Sequence, residues 1–486
     1  MDEAVRARAE RPTRYYMLVV GVIALVIGNA NFEFTLIGGA FPNIAVAFHT
    51  TQVLLVMTVV FVASLVFLPI TGKLGDIYGK KKMLLVVSVL FAIGSVLCAV
   101  APVYWLFLVG RVLQSSFVVA YVAGYGLVRD LLPRRLVPLG VGWIGAGTGI
   151  AVLAGPLLGG WLIDSYGFRS AFWFELIYDV AAGLLVLFVV PESPVRIKRK
   201  VDYAGGLLLG VGIAVLVYGV VYNWAIPFAF PVAAVLLIAF AAVERRTAEP
   251  LMSLRLLGKP KVWYTLLAAS VTIFAIQVGP NALAEIVRIP RIPGVLDQGL
   301  GWSAWQYGIY AGLPFGLVGA LTGLLAGWMS RRYSPRLVLL IAGVGGLVPS
   351  LIAATSASGA AVFIVIAALQ GVGLGFLYAA ANNLVIEAVP ADSQGVGTSM
   401  LYTALGTMNA VSTAIIGTIT AAHTVPVGSG AAAAFIVNSD GFRISFLVMI
   451  GTSVAGLLLT LAMRHGRQAA LGGEPVEDIV AVPQEV

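Results

Sequence analysis

The sequence predicts an all-α membrane protein with 14 transmembrane helices, built as two pseudo-symmetric six-helix halves plus a two-helix insert. Three observations carry this expectation. Of the 486 residues, 60% are hydrophobic and only 11% are charged, outside the usual range for soluble domains. A spanning helix needs about 20 predominantly apolar residues. Runs of that kind are centred near residues 27, 61, 92, 117, 150, 181, 211, 235, 271, 316, 345, 373, 407 and 453. Finally, 25 of the 30 Lys and Arg residues fall in alternate gaps: 6–14, 73–82, 129–135, 196–200, 245–261, 331–336 and 464–467. The positive-inside rule places those gaps and both termini in the cytoplasm of a multi-pass cell-membrane protein. The net charge of +8 is thereby a topology signal, and no nucleic-acid partner is needed to explain it.

Taken along the chain, residues 1–14 form a polar, basic cytoplasmic segment, and the run behind them lacks a small-residue cleavage site, so a retained first helix is expected. Its outer part, "IGNANFEFTLIGGAFP" (27–42), carries Asn29 and Glu33 on one face and Asn31 and Thr35 on nearly the opposite one. A helix polar on both sides does not face lipid. After the second run, "GKLGDIYGKKK" (72–82) offers Gly72, Gly75 and Gly79 for a tight turn, with Lys80, Lys81 and Lys82 at the anionic interface. Cys98, the one cysteine, lies in the third run and gives neither a disulfide nor a thiolate metal site.

The fourth run contains "RVLQSS", which sets Arg111, Gln114 and Ser115 on one helical face. A buried arginine costs roughly 2.5–3.5 kcal/mol on insertion scales and usually faces an acid or a wet cavity. The fifth, "GVGWIGAGTGIAVLAGPLLGG" (140–160), is dense in small residues that let helix backbones approach, and Pro156 removes a helical hydrogen bond. In the sixth, Glu175, Tyr178 and Asp179 share a face; Glu175 is expected near the outer end and hydrated, while Asp179 suits either titration or structural hydrogen bonding.

The polar stretches "PESPVRIKRKVD" (191–202) and "ERRTAEPLMSLRLLGKPK" (244–261) bracket runs seven and eight. They divide the chain into a six-helix half (15–191), a linker and two-helix insert (192–260), a second six-helix half (261–465) and a disordered cytoplasmic tail (466–486). "GWMSRRYSPR" (327–336) is a degenerate second copy of the first-half loop, with Arg331 where the first has Asp76. Two related halves around a midplane site are what alternating-access transporters use. The long outward segments 282–304 and 422–442 read as turns because of their Pro and Gly, and Glu285 reads as a loop acid.

These motifs resemble those of the major facilitator superfamily. "GKLGDIYGKKK" looks like its loop signature, and the fifth run is similar to its antiporter signature, with Gly142, Ala151, Gly155, Pro156, Gly159 and Gly160 at the matching spacing and Ala151 in place of a glycine. "EFTLIGGAFP", "PESP" before "VDYAGG", and "EPLMSLRLL" together resemble its fourteen-helix drug:proton antiporter branch. Glu33 stands where an aspartate is usual, Thr35 and Pro42 are retained, Gly38 replaces an asparagine, and Ser115 replaces a glycine.

The resemblance implies proton-coupled multidrug efflux of hydrophobic or amphipathic, including cationic, small molecules. It assigns Asp76 as a cytoplasmic latch in the outward-open state, with Arg129 or a helix N-terminus as partner, and favours export over uptake. Proton coupling or substrate binding falls to Glu33, Arg111, Asp179, Asn29, Thr35 and Gln114. A carboxylate in a low-dielectric cavity can bind and release protons near physiological pH and can also pair with a cation. The expected partners are the substrate, protons and membrane lipid, and a monomer is expected.

Export of an endogenous lipid, glycolipid or secondary metabolite on the same fold stands as the alternative, with a membrane enzyme far behind. His49, His423 and His465 all lie near helix ends without a His-Glu metal cluster. No GxxxxGK[ST] loop occurs, and "GVGLG" (371–375) lies inside a spanning run, where helix packing explains it. No cofactor and no metal site are expected.

Overall fold

The computed structural model describes residues 12–133, 136–194, 203–247, 254–356, 359–389, 394–427 and 434–469. Residues 1–11 and the tail from 470 onward lie outside the described residues; within the ranges given, Gly72, Asp76, Gly142 and Arg331 are described by their helical backbone alone.

The first half holds α1 (Thr13–Thr35), α2 (Leu55–Tyr78), α3 (Lys80–Val100), α4 (Tyr104–Gln114 and Val119–Leu131, joined by a 3-10 turn), α5 (Val137–Tyr166) and α6 (Arg169–Val189). Then come α7 (Tyr203–Val221) and α8 (Ile226–Arg246). The second half holds α9 (Pro260–Arg288), α10 (Ala304–Tyr307 continuing through a π turn into Leu313–Arg332), α11 (Pro335–Ser356), α12 (Ala360–Ala388), α13 (Gln394–Ala422) and α14 (Ser439–Ala462). In lipid the backbone must satisfy its own hydrogen bonds, which is why these apolar runs are helical.

Among the described residues, 12 helical stretches are long and apolar enough to cross a membrane. Helices α2 and α5 contain shorter apolar stretches, Leu55–Phe67 and Ile150–Tyr166. A helical segment lies over each centre read from the sequence.

Local chemistry explains the breaks. Gly79, at φ 117°, is the single residue between α2 and α3, a conformation that needs glycine. Helix α1 loosens after Thr35, makes a 3-10 turn at Gly38–Ala40 and resumes as Phe41–Ala47, with Pro42 in its first turn. Ser303 and Gln306 form a capping box that starts α10.

Within the first half, α1 packs on α5 and α6, and α3 on α4 and α6; within the second, α12 packs on α10 and α11, and α14 on α9 and α11. Helices α7 and α8 pair with each other, and α7 leans on α2 and α13. There Gly210 admits Val66, and Thr418 Oγ1 donates to Val220 O at 3.2 Å.

The start of α1 and the end of α14 lie on one side, the terminal face. The start of α1 packs with the ends of α4 and α6, while His465, just past α14, meets Thr265 in the first turns of α9. On this face Lys80 reaches Asp130 at 2.7 Å, and Ser193 donates to the same carboxylate. Glu192 accepts from the backbone N–H groups of Lys81 and Lys82 and so caps α3. "PESP" thus fastens the chain leaving α6 to the first turn of α3.

On the opposite face, the segment expected to hold only turns contains a two-stranded antiparallel hairpin, β1 (Thr424–Val427) with β2 (Ala434–Val437). The reason is local: Thr-Val-Pro-Val and Ala-Phe-Ile-Val carry β-branched and aromatic residues on either side of the glycine-rich stretch.

Candidate functional site

A buried polar network occupies the core of the first half, built by α1, α3, α4 and α6. Helical spacing puts Asn29 with Glu33, Arg111 with Gln114, and Glu175 with Asp179, so each helix aims one polar stripe inward. Glu33 and Arg111 are 2% and 0% exposed. Arg111 Nη2 lies 2.8 Å from Glu33 Oε1, yet off the N–H line, so that oxygen gains charge attraction without a well-aligned hydrogen bond.

The same guanidinium donates to Gln114 Oε1 at 2.8 Å and to Val56 O at 3.4 Å. It also sits over the ring of Phe172, 5.9 Å from the centroid. Gln114 passes the connection on, its Nε2 reaching Glu175 Oε2 at 2.8 Å and Ser95 Oγ at 2.9 Å. One carboxylate further along α6, Asp179 accepts from Ser88 Oγ at 2.9 Å and from Asn29 Nδ2 at 3.3 Å.

The sequence reading of Glu175 as hydrated is therefore corrected. It is wholly buried, and its Oε1 has no hydrogen-bond partner. Position near a helix end suggested water, but the side chain of Gln114 reaches it and donates to it inside the protein. Thr35 also departs from expectation. Its Oγ1 donates back to Asn31 O at 2.8 Å and Asn31 Nδ2 donates to Ile27 O at 3.1 Å, so both turn on their own helix instead of joining the charges.

Three carboxylates and one guanidinium thus share an interior without a second cation among the described residues. Ionised together they leave two negative charges uncompensated, and an unpaired buried charge is strongly disfavoured. A bound proton or a bound cation relieves each one. Such a network can bind protons or cations, and it contains no nucleophile-and-base pair or metal cluster among the described residues.

The small-residue pattern of α5 divides its work between the halves. Ala151 packs on Gly28, while Gly155 and Gly159 admit Thr35 and the Leu36 carbonyl of α1, all inside the first half. Gly160, by contrast, lies against the backbone of Ala304 and Trp305, and Pro156 fits against Gly308 and Gly312; these partners belong to α10, in the second half. Tyr307 of α10 also brings its hydroxyl to Gly38, where an added Cβ would lie 3.5 Å from it.

Asp164 of α5 completes this closure by accepting from the N–H groups of Ala304 and Trp305 at 2.9 and 2.7 Å, the exposed donors at the start of α10. Arg288 of α9 donates to Asn43 Oδ1 at 2.8 Å and stands 4.0 Å from Asp164. Removing a helix cap costs about 0.5–2 kcal/mol. Asp164→Asn is accordingly expected to shift the population toward opening at this face by several-fold, read as faster alkylation of a cysteine placed at Gly39.

Nearer the terminal face, Tyr121 of α4 lies near Tyr378 and Tyr402 of α12 and α13, and Tyr125 lies near Tyr402. Tyr378 and Tyr402 stack at 6.5 Å, and Asn382 Nδ2 reaches Tyr402 Oη at 3.4 Å. Tyr125 and Tyr402 are 38% and 41% exposed, so this aromatic cluster reaches the protein surface. No helical-face pattern joins residues so far apart in the chain. For the loop motif, Lys80 and Gly79 are described above; Arg129 is 71% exposed in its side chain and approaches Asp130 at 3.5 Å, and Gly72 and Asp76 are described by their helical backbone alone.

A family model described as Major Facilitator Superfamily matches residues 23–289 and 281–479. A multidrug resistance protein B homolog of Mycobacterium tuberculosis is 30% identical over 340 residues, covering 66% of this chain and 60% of that protein. A probable actinorhodin transporter of Streptomyces coelicolor is 28% identical over 368 residues, covering 71% and 61%. An uncharacterized MFS-type transporter of Bacillus subtilis and one of Mycobacterium tuberculosis are covered over 67% and 46% of their length, so the chain spans about half to two thirds of these two relatives.

Among solved structures, a POT peptide transporter in complex with alafosfalin superposes with a TM-score of 0.66 at 12% identity, covering 94% of this chain and 96% of that one. A bacterial homolog of the human lysosomal transporter Spinster, inward-facing and unoccupied, gives 0.64 at 16%, covering 93% and 97%. At these identities the likeness is one of fold.

Proposed function

Because the chain belongs to the Major Facilitator Superfamily, and is a membrane transporter rather than an enzyme, we propose that it is a proton-coupled exporter of hydrophobic or amphipathic small molecules, cations among them, working by alternating access. The observation that carries this reading is the burial of Glu33, Glu175 and Asp179 around Arg111, the one cation among them in the described residues. Arg111 balances one negative charge at a time, so Glu33, Glu175 and Asp179 together take up two protons or cations, and Glu33 exchanges its pairing with Arg111 for a proton during the cycle. Asn29 serves Asp179 in either state: its amide donates to the carboxylate, and flipped by 180° it accepts from the carboxylic acid. Loss of a proton to the cytoplasm creates the negative charge that favours a cationic substrate between the tyrosines, whose ring faces add cation–π attraction.

On this reading the terminal face is cytoplasmic, and the protein stands closed at the outer face and accessible from inside. All fourteen helices cross the membrane, with α7 and α8 inserted between the halves 15–191 and 261–465, as in the fourteen-helix drug:proton antiporter branch. Asp76 acts as the cytoplasmic latch when the outer face opens, at which point the Lys80–Asp130 side of the loop remains paired. Secondary-metabolite export uses the same machinery, and the printed name of the Streptomyces relative is the reason to include such compounds in the substrate panel. The test is efflux from proteoliposomes with a panel of lipophilic cations, neutral aromatics and anions. Efflux that collapses with a protonophore supports the proposal, and efflux indifferent to it rejects proton coupling.

A further inference from the structure

Glu285 lies in α9, 7% exposed, and its Oε2 has no hydrogen-bond partner. The expectation that it is a loop acid is thus corrected: α9 runs on to Arg288, and the carboxylate is inside the protein. Its orientation follows from the contacts of its helix. Ile276 and Gly279 pack on α12 and Thr272 on α14, and Glu285 projects about 180° around the helix from Ile276. Gln277, Asn281 and Arg288 fall on that same side, and Arg288 there bonds Asn43 of the first half. The distal turn Gly38–Ala40 and the segment Phe41–Ala47 pack on α9. Glu285 therefore lies, buried, on the side of α9 that carries Arg288 and meets the first half where the outer face closes.

The groups that could act on it from the packed elements are few. Arg288 is on its own helix and is engaged with Asn43 and Asp164. Tyr307 comes from α10, His423 ends α13 and bonds Ile419 O, and Asp440 and Arg443 stand at the exposed start of α14. Helices α11 and α12 present only neutral groups toward this end, and on α1 the nearest titratable residue is the exposed His49. Among the described residues burial alone acts on Glu285, with no charged neighbour in range. A carboxylate so placed is tolerated with a proton bound and not without one.

We propose that Glu285 is a second proton-binding site, in the second half, which takes a proton from outside water as the outer face closes and returns it to outside water when that face opens, so that it biases the closure without carrying a proton across. The proposal rests on the alternating-access reading above and adds a site to it. Since the open state binds fewer protons, raising the pH favours opening and acid favours closure. The site is separate from the Glu33 network, which lies in the other half.

Spin labels at Val103→Cys and Phe435→Cys, both exposed and on opposite halves of the outer face, report the opening by inter-label distance in the full chain in nanodiscs. Cys98 is buried and stays unlabelled. Between about pH 5 and about pH 8, the wild-type distribution is expected to move toward longer distances. Glu285→Gln, a permanent mimic of the protonated acid, is expected to hold the short distances at both pH values. Glu285→Asp is expected to restore the pH response, which loss of folding in the Gln variant would not allow. A wild-type distribution unchanged with pH, or a Glu285→Gln variant that responds as wild type does, overturns the proposal. Glu33→Gln separates the two claims: if it removes the pH response while Glu285→Gln keeps it, the site at Glu285 fails and coupling through Glu33 stands.

Discussion

Glu33→Gln is expected to abolish uphill efflux, with a loss of about 100-fold or more, the size that follows from removing a group whose charge state the cycle uses. The variant leaves Arg111 buried at 0% exposure with Gln114, Val56 O and the Phe172 ring as its remaining company. Breaking a buried pair from one side typically costs about 3–5 kcal/mol, so thermal stability falls as well. That complicates a single substitution but not a pair. Glu33→Gln combined with Arg111→Gln removes both charges and is expected to recover most of the stability while efflux stays lost. Glu33→Asp is expected to keep measurable transport, because the chemistry survives one bond shorter. Recovery of transport in the double variant would mean that the ion pair is structural.

Gly160→Ala is expected to give the second large effect, a shift of population from closed to open at the outer face. An added Cβ would come within 2.7 Å of Trp305 Cα and still nearer the Ala304 carbonyl oxygen, both backbone atoms that cannot swing aside. Relief requires α5 and α10 to separate, and they belong to opposite halves. Gly308→Ala is expected to act in the same way through Pro156. Gly159→Ala is the informative contrast, since its Cβ meets the Leu36 carbonyl inside the first half; it should lower thermal stability without biasing the two faces. Gly451→Ala, with nothing within 4 Å, should do neither. Cysteine accessibility on the two faces reads all four, and a Gly160→Ala protein as closed as wild type would refute this view of the antiporter-type helix.

What the sequence made legible was whatever depends on a single helix. Run length and basic gaps located the helical segments, and i, i+4 spacing identified Asn29 with Glu33 and Arg111 with Gln114 as inward stripes. Partner choice between helices was not legible, because periodicity says which face is polar and not which neighbour meets it. Asp179 was matched to Ser88 and Asn29 only in three dimensions. Glu175 and Glu285 were misjudged for a related reason: distance along a helix from its end was taken to mean access to water. At Glu175 the long side chain of Gln114 reaches over the acid, and at Glu285 α1 continues beyond its break as Phe41–Ala47 and covers α9. Asp164 and Arg288 were silent in sequence, since a cap on a helix of the other half leaves no local pattern. The glycines of α5 were legible as close-packing residues, but which of them face α1 and which face α10 emerged only from the fold.

The central claim is that substrate and protons exchange through the buried carboxylates of the first half. The most direct measurement is proton movement during transport by purified protein in proteoliposomes that hold a pH-sensitive dye. A gradient of transported lipophilic cation, with membrane potential clamped, should drive protons in the opposite direction in wild type, and Glu33→Gln should show neither flux. Substrate movement that proceeds without any proton movement, in wild type or in Glu33→Gln, would contradict the account.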